Sequence, residues 1–263
     1  MSQELDFSLV NSYYHISPDG AENPLAEMPA TDFFEMGQVR GLMQQAGEIV
    51  QAHGLDLPAS FFGTSLCNLC STKLIFLAQY NKILDLSLER LTFQIEAHED
   101  HVHLGYKIKE LHYKDVPEKE LESMILKDWE VFIIHTVTPA VEAIAAAAGV
   151  KSAMIWQQFG GEIGMLREYI AQNETREEVL ERFNRNFLLL SESISPELFH
   201  RNRNPFKHTI RYTDNPYQAG EQLALRSSCC LYFCRENGEK CYVCPRLKDE
   251  EREEKRMKIL ATL

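Results

Sequence analysis

Five of the seven cysteines fall within sixteen residues near the end of the chain. They sit in two runs, Arg226-Ser227-Ser228-Cys229-Cys230-Leu231-Tyr232-Phe233-Cys234 and Cys241-Tyr242-Val243-Cys244-Pro245. The spacing is C-C-x10-C-x2-C, with Cys234 as an extra thiol between the pairs. A polar turn, Arg235-Glu236-Asn237-Gly238-Glu239, folds the second pair back towards the first. Thiols gathered in this way make either a disulfide framework or a site for a soft metal.

The cellular compartment decides between those two. The chain opens Met1-Ser2-Gln3-Glu4-Leu5-Asp6, which is acidic and has no apolar run behind a basic patch. No secretory signal is readable there. The expectation is a cytoplasmic protein, in which thiols stay reduced and a cysteine cluster holds metal.

Two metals fit the spacing. Zinc would take Cys230, Cys234, Cys241 and Cys244, as C-x3-C and C-x2-C. An iron–sulfur cluster would take Cys229, Cys230, Cys241 and Cys244 and leave Cys234 spare. Adjacent side chains of an extended segment point to opposite faces, so Cys229 and Cys230 reach a two-iron cluster more easily than one tetrahedral ion. On spacing alone both metals stand.

The rest of the chain must position this segment. Its 263 residues, 44% hydrophobic and 25% charged, suit one large or two modest globular domains. The formal net charge of −12 argues against a nucleic-acid partner, since neutralising phosphates needs a basic face. Residues 1–30 carry Pro18, Gly20, Pro24 and Pro29 and read as an irregular or partly ordered lead-in. Apolar residues at three- and four-residue steps predict helices over 32–53, with Thr31 and Gly54 at its ends, and over roughly 66–84, with 61–65 leading into it. Alternation at 86–95 and 102–108, around a turn at Ala97-His98-Glu99-Asp100, predicts an antiparallel hairpin within about 84–112, with the Leu84 segment as an optional further strand.

From Glu118 the pattern is helical again. The apolar stretch 131–150 contains His135, Pro139 and Glu142, so it reads as two buried helical pieces meeting at the proline rather than a membrane span. Further helices are expected at 152–172 and, behind a Thr175/Glu178 capping box, to about 190. The tail 248–258 reads as a solvated helix. The fold class is therefore α+β: a mostly helical body over 1–220 with a small antiparallel sheet, then a cysteine-rich lobe over 221–263.

The cysteine segment, with Gly238 and Pro245 in place, resembles the C-terminal [2Fe–2S] motif of the FhuF-type ferric-siderophore reductases, whose signature is C-C-x10-C-x2-C. Looser points of likeness are the Leu-Asp-Leu-Ser-Leu run at 84–88, His135 with Pro139, Trp156, and Asn204-Pro205. That family is related to the C-terminal region of the IucA/IucC siderophore synthetases, which implies a mixed α+β fold. Cys67, Cys70 and Cys234 are not recognised as family features.

The resemblance implies a [2Fe–2S] cofactor on Cys229, Cys230, Cys241 and Cys244. It also implies one-electron reduction of a ferric siderophore, of the hydroxamate class. Ferric iron is held by hard oxygen donors; one added electron gives ferrous iron, which those donors hold far less well. The expected electron source is a ferredoxin or a flavin reductase, because no dinucleotide fingerprint is visible: Gly160-Gly161-Glu162-Ile163-Gly164 has no strand before it. Arg226 is placed to stabilise a reduced, more negative cluster; blandly read, it is a surface arginine. Arg201, Arg203, Lys207, His208 and Arg211 form a basic patch on an acidic protein, either a solvated loop or a docking face for an electron donor or anionic chelate.

Other residue types weigh less. Cys67 and Cys70 lie on an apolar helical run and read as buried small residues. Trp156 reads as core. His98, His101 and His103 beside Glu99 and Asp100 have metal-ligand character, but their position fits an exposed hairpin tip. The alternative function is a non-enzymatic binding or redox-sensing protein stabilised by zinc or an iron–sulfur cluster. A peripheral membrane contact beside a siderophore importer stays open.

Overall fold

The computed structural model describes residues 5–99, 101–117 and 121–263. The first four residues, Asp100 of the expected turn and the expected helix start at Glu118 lie outside these. The described chain is α+β and mostly helical, as its periodicities require.

The lead-in is more ordered than its prolines suggest. Helix α1 (Ser8–Tyr14) is followed by the short strands β1 (Ile16–Ser17) and β2 (Ala26–Pro29). These flank a hairpin of β4 (Leu91–His98) and β5 (His101–Ile108), giving a four-stranded sheet in the order β1-β5-β4-β2. β1 runs parallel to β5, and the other pairings are antiparallel. Strands of two and four residues carry too little alternation to be read from sequence. β3 (Lys82–Leu84) is a strand, but it pairs with β6 (Tyr113–Asp115) in a separate ribbon.

A short 3-10 turn, Ala30–Phe34, precedes α2 (Met36–Ile49). The central element is α3 (Asp56–Tyr80), which begins ten residues before the expected start at Leu66 and stops at Tyr80, so that the expected helix end at 82–84 is strand β3 instead. It is buried on all sides, packing against α2 and three later helices, α5 (Thr138–Ala148), α6 (Ser152–Asn173) and α7 (Glu177–Leu188). A helix apolar all round is at home only in such a position or in lipid. The 56–80 and 121–148 runs are each long and apolar enough to cross a membrane, yet 83% and 56% of their most apolar windows are buried inside the protein. Within this core Lys73 is 2% exposed, and its ammonium is matched by Asp128 at 2.8 Å and the Leu84 carbonyl at 2.7 Å.

Helix α4 (Leu121–Phe132) and α5 do not meet as two pieces at Pro139. One π turn, Ile133–Val137, joins them, and the Thr138 N–H bonds to the Ile133 carbonyl five residues back. Proline lacks the N–H that would bond four residues back, so the ladder widens by one residue ahead of it. The Thr175/Glu178 capping box does not form. Arg176 caps α7, its N–H donating to Glu174 Oε1 at 2.9 Å.

A small ribbon, β7 (Tyr212–Asp214) with β8 (Gln222–Ala224), turns at residue 220. Beyond it the cysteine segment runs as irregular chain, and α8 (Asp249–Leu260) closes the molecule without a buried residue.

Candidate metal centre

The cysteine segment is pinned to the helical body by backbone rather than by a core of its own. His53 N–H donates to the Cys234 carbonyl at 3.1 Å, and Glu236 N–H to the Gln51 carbonyl at 2.9 Å. Ser60 on α3 donates to the Cys230 carbonyl at 2.9 Å and accepts from Gln158 on α6 at 3.0 Å. Cys229, Leu231 and Cys244 join Val50 and Leu57 in a small apolar cluster.

Gly161 explains why the segment lies so close to α6. A Cβ there would stand 2.4 Å from Ser227 Oγ and 3.0 Å from its backbone nitrogen. With none in the way, Ser227 Oγ accepts from Gly161 N–H at 3.0 Å and donates to the Gln157 carbonyl at 2.8 Å. The Gly160-Gly161-x-x-Gly164 run is thus a helical seat for the C-terminal segment. Sequence reasoning excluded it as a nucleotide loop and gave it no other role.

On this seat the thiols converge in two kinds of place. Cys229 and Cys244 are buried with their Sγ atoms 3.6 Å apart. Leu231 N–H donates to Cys229 Sγ at 3.4 Å, from a residue held at φ 62, in the left-handed region that a branched side chain seldom enters. Burial pushes the Cys229 thiol up to about 11, against the pull of that N–H. Cys230 and Cys241 are more exposed. Burial raises the Cys241 thiol, and the nearby Arg226 guanidinium pulls it part of the way back. Arg252 of α8 donates to the carbonyls of Tyr242 and of Cys244, the latter at 3.1 Å, and so fixes the second cysteine turn.

All five thiols are free. Four thiolates on one tetrahedral zinc would be about 3.8 Å from one another. Among the described residues, the only set of three His, Cys, Asp or Glu donors mutually within 4.8 Å is His15, Glu96 and His103, so no three of these sulfurs are that close. A close inner pair with a second, more open pair suits two bridged irons better than one ion. Arg226 Nε adds a buried donor with no partner among the described residues, aligned with a need for a sulfur acceptor. The residues present fit a [2Fe–2S] cluster.

Cys230, Cys241, Arg226 and Tyr232 open on a cavity of about 490 Å3, whose other walls include Ser60, Thr64, Asn68, Gln158, Glu162, His15 and His103. Arg226 Nη1 stands 3.3 Å from Glu162 Oε1, and burial pushes that carboxyl above its ordinary value while Arg226 pulls it back. Arg226 is therefore an element of the site. Arg201, Arg203, Lys207, His208 and Arg211 lie outside this lining; Lys207 pairs with Glu192, and His208 packs on Gly160. Tyr242 is buried and Phe233 half-buried beside the cysteines, whereas Tyr232 is 39% exposed on the cavity wall.

Trp156 is core, set edge-on to Phe199 at 5.4 Å. Cys67 and Cys70 are fully buried in α3, and burial raises both thiols, Cys70 to about 12. His98 and His101 are exposed at the hairpin end, but His103 turns inward and stacks on His15 with ring centroids 4.2 Å apart. His15, Glu96 and Glu162 carried no spacing signal, because only the fold brings them here. No family model matches this chain, and no curated protein matches it.

Proposed function

We propose that this protein reduces ferric siderophores by one electron, through a [2Fe–2S] cluster held by Cys229, Cys230, Cys241 and Cys244. The observation that carries the reading is the split of the four thiols, with one pair buried and the other lining an open cavity. When bound, the cluster supplies one-electron chemistry at modest cost in rearrangement.

The chain's own residues do the rest. Leu231 and Tyr242 keep water from the inner pair, and the Leu231 N–H and Arg226 stabilise negative charge on sulfur. The cavity volume falls in the range of small-molecule sites, and its hydroxyl and amide side chains offer hydrogen bonds to the oxygen-rich rim of a hydroxamate chelate. Phe61 and Tyr232, with ring centroids 6.3 Å apart, give an apolar edge against which such a chelate can rest. One electron leaves the protein, Fe(III) becomes Fe(II), and no covalent bond of the siderophore breaks. A ferredoxin or flavin reductase returns the electron, with the basic residues at Arg201, Arg203, Lys207, His208 and Arg211 as the docking face for an acidic donor. In this reading the protein works in the cytoplasm.

The test mixes anaerobically reduced protein with ferric hydroxamate siderophores and a ferrous trap. Trap colour should appear as the protein's reduced signal is lost, in equal amounts. A protein that stays reduced with every chelate tried is a binding or redox-sensing protein, not a reductase.

A further inference from the structure

We infer that His15, Glu96 and His103 form a binding site for a single divalent first-row transition-metal ion, on the wall of the cavity that Cys230 and Cys241 open into. One ligand atom from each lies within 4.8 Å of the other two. Two imidazoles and one carboxylate, leaving further positions open, suit ferrous iron and its neighbours in the series.

Three elements deliver these side chains. Glu96 on β4 and His103 on β5 are direct cross-strand partners, so they share one face of the sheet. His15 arrives from the turn after α1 with φ 56, in the left-handed region. It reaches the sheet only because residue 105 is glycine, where a Cβ would stand 2.0 Å from the His15 carbonyl. Tyr106 N–H fixes that carbonyl at 2.8 Å.

Glu96 Oε2 and His15 Nδ1 stand 4.0 Å apart, beyond hydrogen-bond distance, while the His15 and His103 rings stack with centroids 4.2 Å apart. All three are half-buried, and His15 and His103 face the cavity. That ferrous iron is the natural ion rests on the reductase reading, in which Fe(II) is set free beside these residues. The site itself stands on its own geometry.

The probe is Co(II), added anaerobically to the full chain in which Cys229, Cys230, Cys234, Cys241 and Cys244 are all changed to Ser, so that no thiol of the cysteine segment competes. One equivalent should bind with weak visible bands and without the intense thiolate-to-cobalt absorption. His103→Gln and Glu96→Gln in that background should each weaken binding about tenfold or more, with unchanged circular dichroism. Absence of a one-equivalent site, or equal affinity in all three proteins, overturns the inference. Co(II) binding in a protein whose wild type cannot reduce ferric siderophores removes the reductase reading and leaves the metal site; reduction without Co(II) binding does the reverse.

Discussion

The Sγ atoms of Cys229 and Cys244 lie 3.6 Å apart in a buried pocket, fifteen residues apart in sequence. A disulfide would bring them to about 2.05 Å, whereas two thiolates on one tetrahedral metal stand about 3.8 Å apart. At 3.6 Å the two thiols are in hydrogen-bond contact, a separation that two ligands of one metal could also take.

Cysteine substitutions separate the two ligand sets that the spacing allowed. Cys229→Ser should abolish the iron–sulfur absorption of the purified protein, while Cys234→Ser should keep it. The opposite result, with Cys234 essential and Cys229 dispensable, would identify the zinc-type set instead.

In the proposed reading Arg226 raises the potential of the centre. It lies beside Cys241 on the cavity wall and brings a positive charge to a site that would become more negative on reduction. Arg226→Leu should lower the midpoint potential by about 60 mV or more, the one-electron equivalent of a tenfold shift. A redox titration giving an unchanged or higher midpoint would remove Arg226 from the account.

In the same reading Glu162 would make that potential depend on pH. Burial raises its carboxyl above the ordinary value, so the folded protein holds the proton to higher pH than an exposed glutamate would. As pH rises through the raised value the carboxylate forms, adds negative charge near Arg226 and lowers the midpoint, by at most about 59 mV per pH unit. By the same linkage, stability favours the protonated side and falls as pH rises through that window. Glu162→Gln should flatten the midpoint-against-pH curve; equal slopes in both proteins would contradict this role.

The glycine seat on α6 is a packing device with a functional readout. Gly161→Ala should cost roughly 1–3 kcal/mol in chemical denaturation and lower the cluster content, because the new Cβ displaces Ser227. Gly41→Ala is the control: it lies within α2 with nothing within 4 Å of a new Cβ, and should be neutral or stabilising by up to about 1 kcal/mol. Equal effects at both sites would mean that Gly161 has no special part.

These sites differ in how far the sequence reveals them. The cysteine spacing is local, so C-C-x10-C-x2-C marks the centre without any structure. Helix α6 shows its apolar pattern plainly, at 152–173 against the expected 152–172, whereas α3 is apolar all round and its ends are not marked in the sequence. The strands at 16–17 and 26–29 are too short to show alternation, and they exist because β4 and β5 offer them edges. The widened turn at Ile133–Val137 follows from where Pro139 falls in a continuing helix, which the apolar run alone does not fix. His15 and Glu96 are 81 residues apart, and Gly105 reads as an ordinary glycine until the His15 carbonyl is seen against it.

Iron, acid-labile sulfide and zinc per chain, measured after anaerobic purification, test the central claim most directly. The account predicts about two iron and two sulfide per chain with negligible zinc. One zinc per chain without sulfide would contradict it.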